Sequence, residues 1–101
     1  MILIFVTFEN REDAEKVSDY LIKNKLAACI ETFPVQSHYY WKGEKINTQE
    51  FSGIIKTDDG YFNKVRTALE KIFPYEIPQI IEVKAGNVNK SYLRWLEESL
   101  K

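Results

Sequence analysis

The chain holds one cysteine and one histidine, Cys29 and His38, among 101 residues. A structural zinc site takes four protein ligands and a catalytic one three, so these two side chains build neither within one chain. One thiol also cannot close an internal disulfide. Three prolines and four glycines are dispersed along the chain, with no Gly-rich phosphate loop, dinucleotide fingerprint, Ser-His-acid order, metalloprotease motif or linker. The expectation is a protein that is not an enzyme. Fourteen Lys and Arg against fifteen Asp and Glu leave a net charge of −1, without the basic excess of a dedicated nucleic-acid binder. The opening apolar run, MILIFVTF at residues 1–8, is far shorter than the ~20 residues a membrane span needs. No basic segment precedes it and no small-residue cleavage site follows it, so no signal peptide, no membrane and a cytoplasmic location are expected.

What is present is a globular composition: 45% apolar, 14% aromatic and 29% charged residues. One domain over residues 1–101 accommodates this length. A domain of this size buries roughly two thirds of its unfolded surface, a thin core that help from partner subunits would complete.

The run at 1–8 is rich in Ile, Val, Phe and Thr and reads as a buried central strand. Asn10 then caps a helix with Glu12 and Asp13 in its first turn and Ala14, Val17, Leu21 and Ile22 on its inner face. From Ala27 a strand pattern runs through Cys29, Ile30, Phe33 and Val35 to Trp41, with a turn at Lys42-Gly43-Glu44-Lys45 and a return strand over 46–57. Asp58 or Asp59 starts a second helix with Phe62, Val65, Leu69, Ile72 and Phe73 as its stripe, and Pro74 ends it. A strand over 79–85 and a final helix capped by Asn89, docked through Tyr92, Leu93, Leu96 and Leu100, complete the chain.

The order β-α-β-β-α-β plus a C-terminal helix is α+β and ferredoxin-like, with helices covering one sheet face. Strands of about 12 residues rise about 40 Å whereas seven-residue strands rise about 23 Å. The central hairpin must overhang its sheet. An exposed arm carrying Tyr39, Tyr40 and Trp41 is an aggregation hazard for a monomer, and pairing it with another subunit in closed symmetry removes the hazard.

Residues along nearly the whole chain resemble the CutA divalent-cation-tolerance family. They are Lys25-Leu26-Ala27-Ala28-Cys29, then Pro34, then Ser37-His38-Tyr39-Tyr40-Trp41-Lys42-Gly43. Glu50, Lys56-Thr57, Pro74-Tyr75-Glu76-Ile77-Pro78 and Tyr92-Leu93-Arg94-Trp95-Leu96 follow in order. The resemblance implies a homotrimer of ferredoxin-like subunits, similar to the PII signalling proteins, in which long hairpins join neighbours. It also implies a role in tolerance of copper and other divalent cations. The copper ligands described for bacterial members, a cysteine on the first strand and a histidine pair before the Pro-Tyr motif, correspond here to Val6, Ile72 and Phe73, none of which ligates copper.

Other residues carry the remaining chemistry. Cys29 reads as a small buried hydrophobe or as a metal ligand, and His38 as a packed or exposed side chain or as a metal ligand and pH sensor. Tyr39, Tyr40 and Trp41 read as subunit-interface anchors. Lys56, Glu50, Glu76, Tyr75 and Trp95 are candidates for a cleft between subunits, with Lys56 contacting an anion or simply forming a salt bridge, and the glutamates contacting a cation or polar ligand. The functional expectation is a cytoplasmic homotrimer that binds metal ions, copper among them, or a small ligand at such clefts. No cofactor is certain. Alternatives are an adaptor trimer that binds another protein, and an enzyme using Lys56 and Glu76 as acid and base.

Overall fold

A computed structural model describes residues 1–73 and 75–101. Its elements are β1 (Ile2–Phe8), α1 (Arg11–Lys23), β2 (Cys29–Trp41), β3 (Glu44–Thr57), α2 (Phe62–Ile72), β4 (Ile80–Lys84) and α3 (Lys90–Ser99). The strands form one antiparallel sheet in the order β2-β3-β1-β4. This is the α+β, ferredoxin-like arrangement expected from the element order.

Alternation along β1 decides the layers. Ile2, Ile4, Val6 and Phe8 are buried and pack with Ala14, Val17 and Leu21 of α1, Val65, Ala68 and Leu69 of α2, and Ile55 of β3. Gly53 keeps the β1–β3 contact close, since a Cβ there would sit 3.0 Å from both Phe8 Cε2 and Val6 Cγ2. Thr57, also fully buried, donates its hydroxyl to the Leu26 carbonyl at 2.8 Å and ties the end of β3 to the chain entering β2.

Local signals set the boundaries. Asn10 caps α1 as expected, accepting the Asp13 backbone N–H at 2.8 Å. Ile22 does not share its inner face; it is 41% exposed, since one residue beyond Leu21 turns about 100° round the helix. The helix ends in a Schellman motif, with Leu26 N–H bonded to Leu21 O and Lys25 N–H to Ile22 O, and Lys25 takes the left-handed conformation at φ 58°. β2 begins at Cys29 rather than Ala27. Neither aspartate starts α2: Gly60 at φ 84° breaks the backbone after them, and Tyr61 is the N-cap. Asn89 does occupy the N-cap of α3, but its amide bonds Ser91 Oγ rather than a backbone N–H. The expected helix stop at Pro74 lies outside the described residues.

The hairpin turn is shorter than the four residues expected. Lys42 (φ 50°) and Gly43 (φ 81°) alone connect the strands, and Trp41 pairs with Glu44. Two successive positive φ values match the right-handed twist of the strands, which is why a glycine sits there. Pairing continues to Cys29 opposite Lys56, yet β1 accompanies β3 only from Phe51 to Thr57. Seven pairs, from Val35 with Glu50 to Trp41 with Glu44, therefore extend past β1 as an arm of about 24 Å. The long axis of 46 Å, against 26 and 21 Å across, reflects this arm.

The helices do not all cover one face. α1 and α2 pack on the Ile2, Ile4, Val6 face. Lys56, which alternates with buried Ile55 and Thr57 and so projects from the other face, brings its ammonium to 5.7 Å from the Tyr92 ring of α3. Leu96 and Leu100 of α3 are buried outside the main core cluster. Ile81, Val83 and Phe33 on that second face remain 50%, 38% and 41% exposed.

Candidate functional site

An open groove of about 510 Å³ lies where the hairpin arm meets the loop before β4. β2 supplies Tyr39 and Trp41, β3 supplies Glu50, and the chain leaving β1 supplies Glu9. The loop adds Tyr75, Glu76 and Ile77. Strand alternation explains the first set, because Tyr39, Trp41 and Glu50 share one face of the hairpin with Thr7 at the groove floor. The groove thus presents carboxylates between aromatic rings.

Tyr75 is fixed within it. Its hydroxyl donates to Asp13 Oδ2 in the first turn of α1 and accepts the Glu9 backbone N–H at 3.4 Å. Burial, followed by the bond to Asp13, pushes the phenol far above its ordinary value, so it stays protonated and offers the groove its ring. Its ring also lies 5.9 Å from that of Phe73. At the rim, the Lys42 ammonium stands 3.7 Å from Glu76 Oε2 and 5.5 Å from the Trp41 ring centroid.

The other candidates gather elsewhere. Lys56 pairs with Glu31 at 2.9 Å, and that hydrogen bond is the main cause of its raised pKa. Lys56 is six residues from Glu50 along β3, about 20 Å. Trp95 stacks near Tyr92 at 5.4 Å on α3 and does not line the groove. The five cleft candidates therefore divide within one chain: Glu50, Tyr75 and Glu76 meet in the groove, while Lys56 and Trp95 belong to the α3 side. Lys56 and Glu76 are engaged by Glu31 and Lys42 respectively.

Cys29 and His38 are nine residues apart on β2, an odd interval that sends their side chains to opposite faces about 30 Å apart. Cys29 is half-buried opposite Lys56, and His38 is exposed opposite Asn47. Among the described residues no three His, Cys, Asp or Glu side chains are grouped to hold a metal ion. Tyr40 is 75% exposed on the arm, while Tyr39 and Trp41 are partly sheltered in the groove. Among the described residues no helix is long and apolar enough to cross a membrane.

Sequence reasoning missed Glu9, Lys42 and Glu31. Glu31 had a signal: once the turn is placed at Lys42-Gly43, it lies diagonally across from Lys56, within reach of a long side chain. Glu9 and Lys42 had none, since each meets residues of loop 75–79 more than thirty positions away in the chain, a tertiary contact that no local motif encodes.

The fold has close counterparts. The chain is 38% identical over 100 residues to the divalent-cation tolerance protein CutA of Thermotoga maritima, a match that covers 99% of each. The crystal structure of Pyrococcus horikoshii CutA superposes with a TM-score of 0.96 at 34% identity, covering 100% of both chains. The structure described as the periplasmic divalent cation tolerance protein CutA of Archaeoglobus fulgidus gives 0.94 at 31% identity, again with 100% of both chains covered. The model of the CutA1 divalent ion tolerance protein family matches residues 2–99, and this chain belongs to that family.

Proposed function

We propose that this chain is a single CutA-like domain over residues 1–101. It assembles as a PII-like homotrimer through its hairpin arm, and binds divalent cations or a small ligand at clefts between subunits in a response to metal ions. The observation that carries this reading is the seven-pair arm beyond β1 in a chain of a divalent-cation tolerance family. An arm of that length exposes unpaired edges and aromatic side chains, and a neighbouring subunit covers both. Tyr39, Tyr40 and Trp41 are its anchors, with Tyr39 and Trp41 also lining the pocket between subunits. The half-exposed Ile81 and Val83 on the second sheet face supply further apolar area for the same contact.

The groove at the base of the arm is the ligand site on this reading, with Glu50, Glu76 and Tyr75 as its lining and Lys56 and Trp95 serving the α3 side of the cleft. Copper or another divalent metal would be cargo rather than a resident cofactor. Cys29 and His38 take part only if different subunits bring them together. The role is not enzymatic, because Lys56 and Glu76 each have another partner, and the lone cysteine accords with the cytoplasm. Neither nucleic acid nor membrane is a partner.

A second reading, an adaptor trimer that binds another protein, draws on the placement of Cys29 and His38 on opposite faces of β2. Calorimetric titration with Cu²⁺, Zn²⁺ and a small organic cation separates the two. Saturable binding of any of them that Glu50→Gln and Glu76→Gln weaken supports the ligand reading, and absence of saturable binding of all of them favours the adaptor.

A further inference from the structure

The groove's chemistry selects among cations. Glu9, Glu50 and Glu76 line it, and no Lys, Arg or His stands among its described lining residues. A small hard cation needs its oxygen ligands converging on one point, whereas these carboxylates are distributed along the groove and form no metal-holding group. Between them stand the rings of Tyr39, Trp41 and Tyr75, and Tyr75 is held by Asp13 so that its ring faces the groove. Aromatic faces attract ammonium groups and accept the alkyl segments that join them.

The protein already shows this preference with its own side chain. The Lys42 ammonium is held at the rim between the Trp41 ring, at 5.5 Å, and Glu76 Oε2, at 3.7 Å. Both Lys42 and Glu76 are well exposed, so this contact is weak and displaceable. A volume of about 510 Å³ falls in the range of small-ligand sites.

We propose that the groove binds a linear aliphatic polyamine, whose ammonium groups meet Glu9, Glu50 and Glu76 in turn while its methylenes lie on Tyr39, Trp41 and Tyr75. Lys42 acts as a built-in competitor at the Trp41-Glu76 end. This rests on the groove being the ligand site.

Spermidine titrated calorimetrically into the full chain, at low and at physiological ionic strength, is the test, with Cu²⁺ and Mg²⁺ titrated in parallel. Saturable spermidine binding is expected, weakened about tenfold or more by Glu50→Gln or Glu76→Gln and tightened about threefold by Lys42→Gln. Glu15→Gln, an equal charge change on the exposed side of α1, should leave it unaltered. Equal weakening by Glu15→Gln would mean diffuse charge attraction and overturn the proposal. Groove-dependent Cu²⁺ binding with no spermidine binding would overturn it while leaving the ligand reading intact. No groove-dependent binding of spermidine or either metal would overturn both.

Discussion

Phe8 pairs with Phe51, and this is the last rung that β1 shares with β3. Beyond it, β3 from Glu50 to Glu44 has β2 as its one neighbour among the described residues. On the core side of the rung the sheet is covered by α1 and α2; past it the same two strands become an arm. The groove forms at this transition, where Glu50 and Thr7 stand beside the loop that carries Tyr75 and Glu76.

Gly53 lies two residues inside that rung. A Cβ at this position meets Phe8 Cε2 and Val6 Cγ2 at 3.0 Å, and both partners are buried in the core. Gly53→Ala should therefore destabilise the fold by about 1–3 kcal/mol through overpacking. Denaturant unfolding of the two proteins at equal subunit concentration measures the difference, and an unchanged midpoint would show that the strands part at little cost.

Two groups make stability depend on alkaline pH. The Glu31 hydrogen bond raises the Lys56 pKa, and burial together with Asp13 raises that of Tyr75. In each case the folded state holds its proton more tightly than the unfolded chain does. The stabilisation is complete below the ordinary value, about 10 for either group, and fades as pH rises through the folded one. Tyr75→Phe should cost about 1–2 kcal/mol at neutral pH, from lost bonds to Asp13 and Glu9. Thermal midpoints from pH 7 to 12 should converge for wild type and Tyr75→Phe at the alkaline end, and a constant gap would contradict this assignment.

Cys29 and His38 should behave as independent sites. With side chains on opposite faces of β2, one chain cannot bring both to one ion. Cu²⁺ affinity measured for Cys29→Ser, His38→Ala and the double variant should give a coupling near zero, within about 0.5 kcal/mol. A large coupling would place the two side chains of different subunits on the same metal.

Much of the fold was legible because hydrophobic period and turn chemistry agree along the chain. The alternation of Ile2, Ile4, Val6 and Phe8 marked the central strand, Asn10 the start of α1, and the mismatch of strand lengths the overhanging arm. The hairpin register was misjudged because four polar residues, Lys42 to Lys45, look like one loop, while Gly43 allows a two-residue turn. A four-residue loop would pair Trp41 with Ile46, a shift of two that keeps every side chain on its face but changes its partner. That shift would set Glu31 directly opposite Lys56, so the two side chains are within reach of each other in either register. The position of α3 was hidden for a different reason: its apolar stripe specifies burial of Leu96 and Leu100 without specifying which sheet face receives them. The division of the cleft candidates likewise follows from distance along β3, which local motifs do not encode.

Assembly through the arm is the central claim, and sedimentation velocity tests it most directly. At micromolar concentration the wild-type protein should sediment as one species of three times the 11.9 kDa chain mass, and Trp41→Ala should lower the trimer fraction and its thermal midpoint. A wild-type species of 11.9 kDa, stable across that concentration range, would contradict the account.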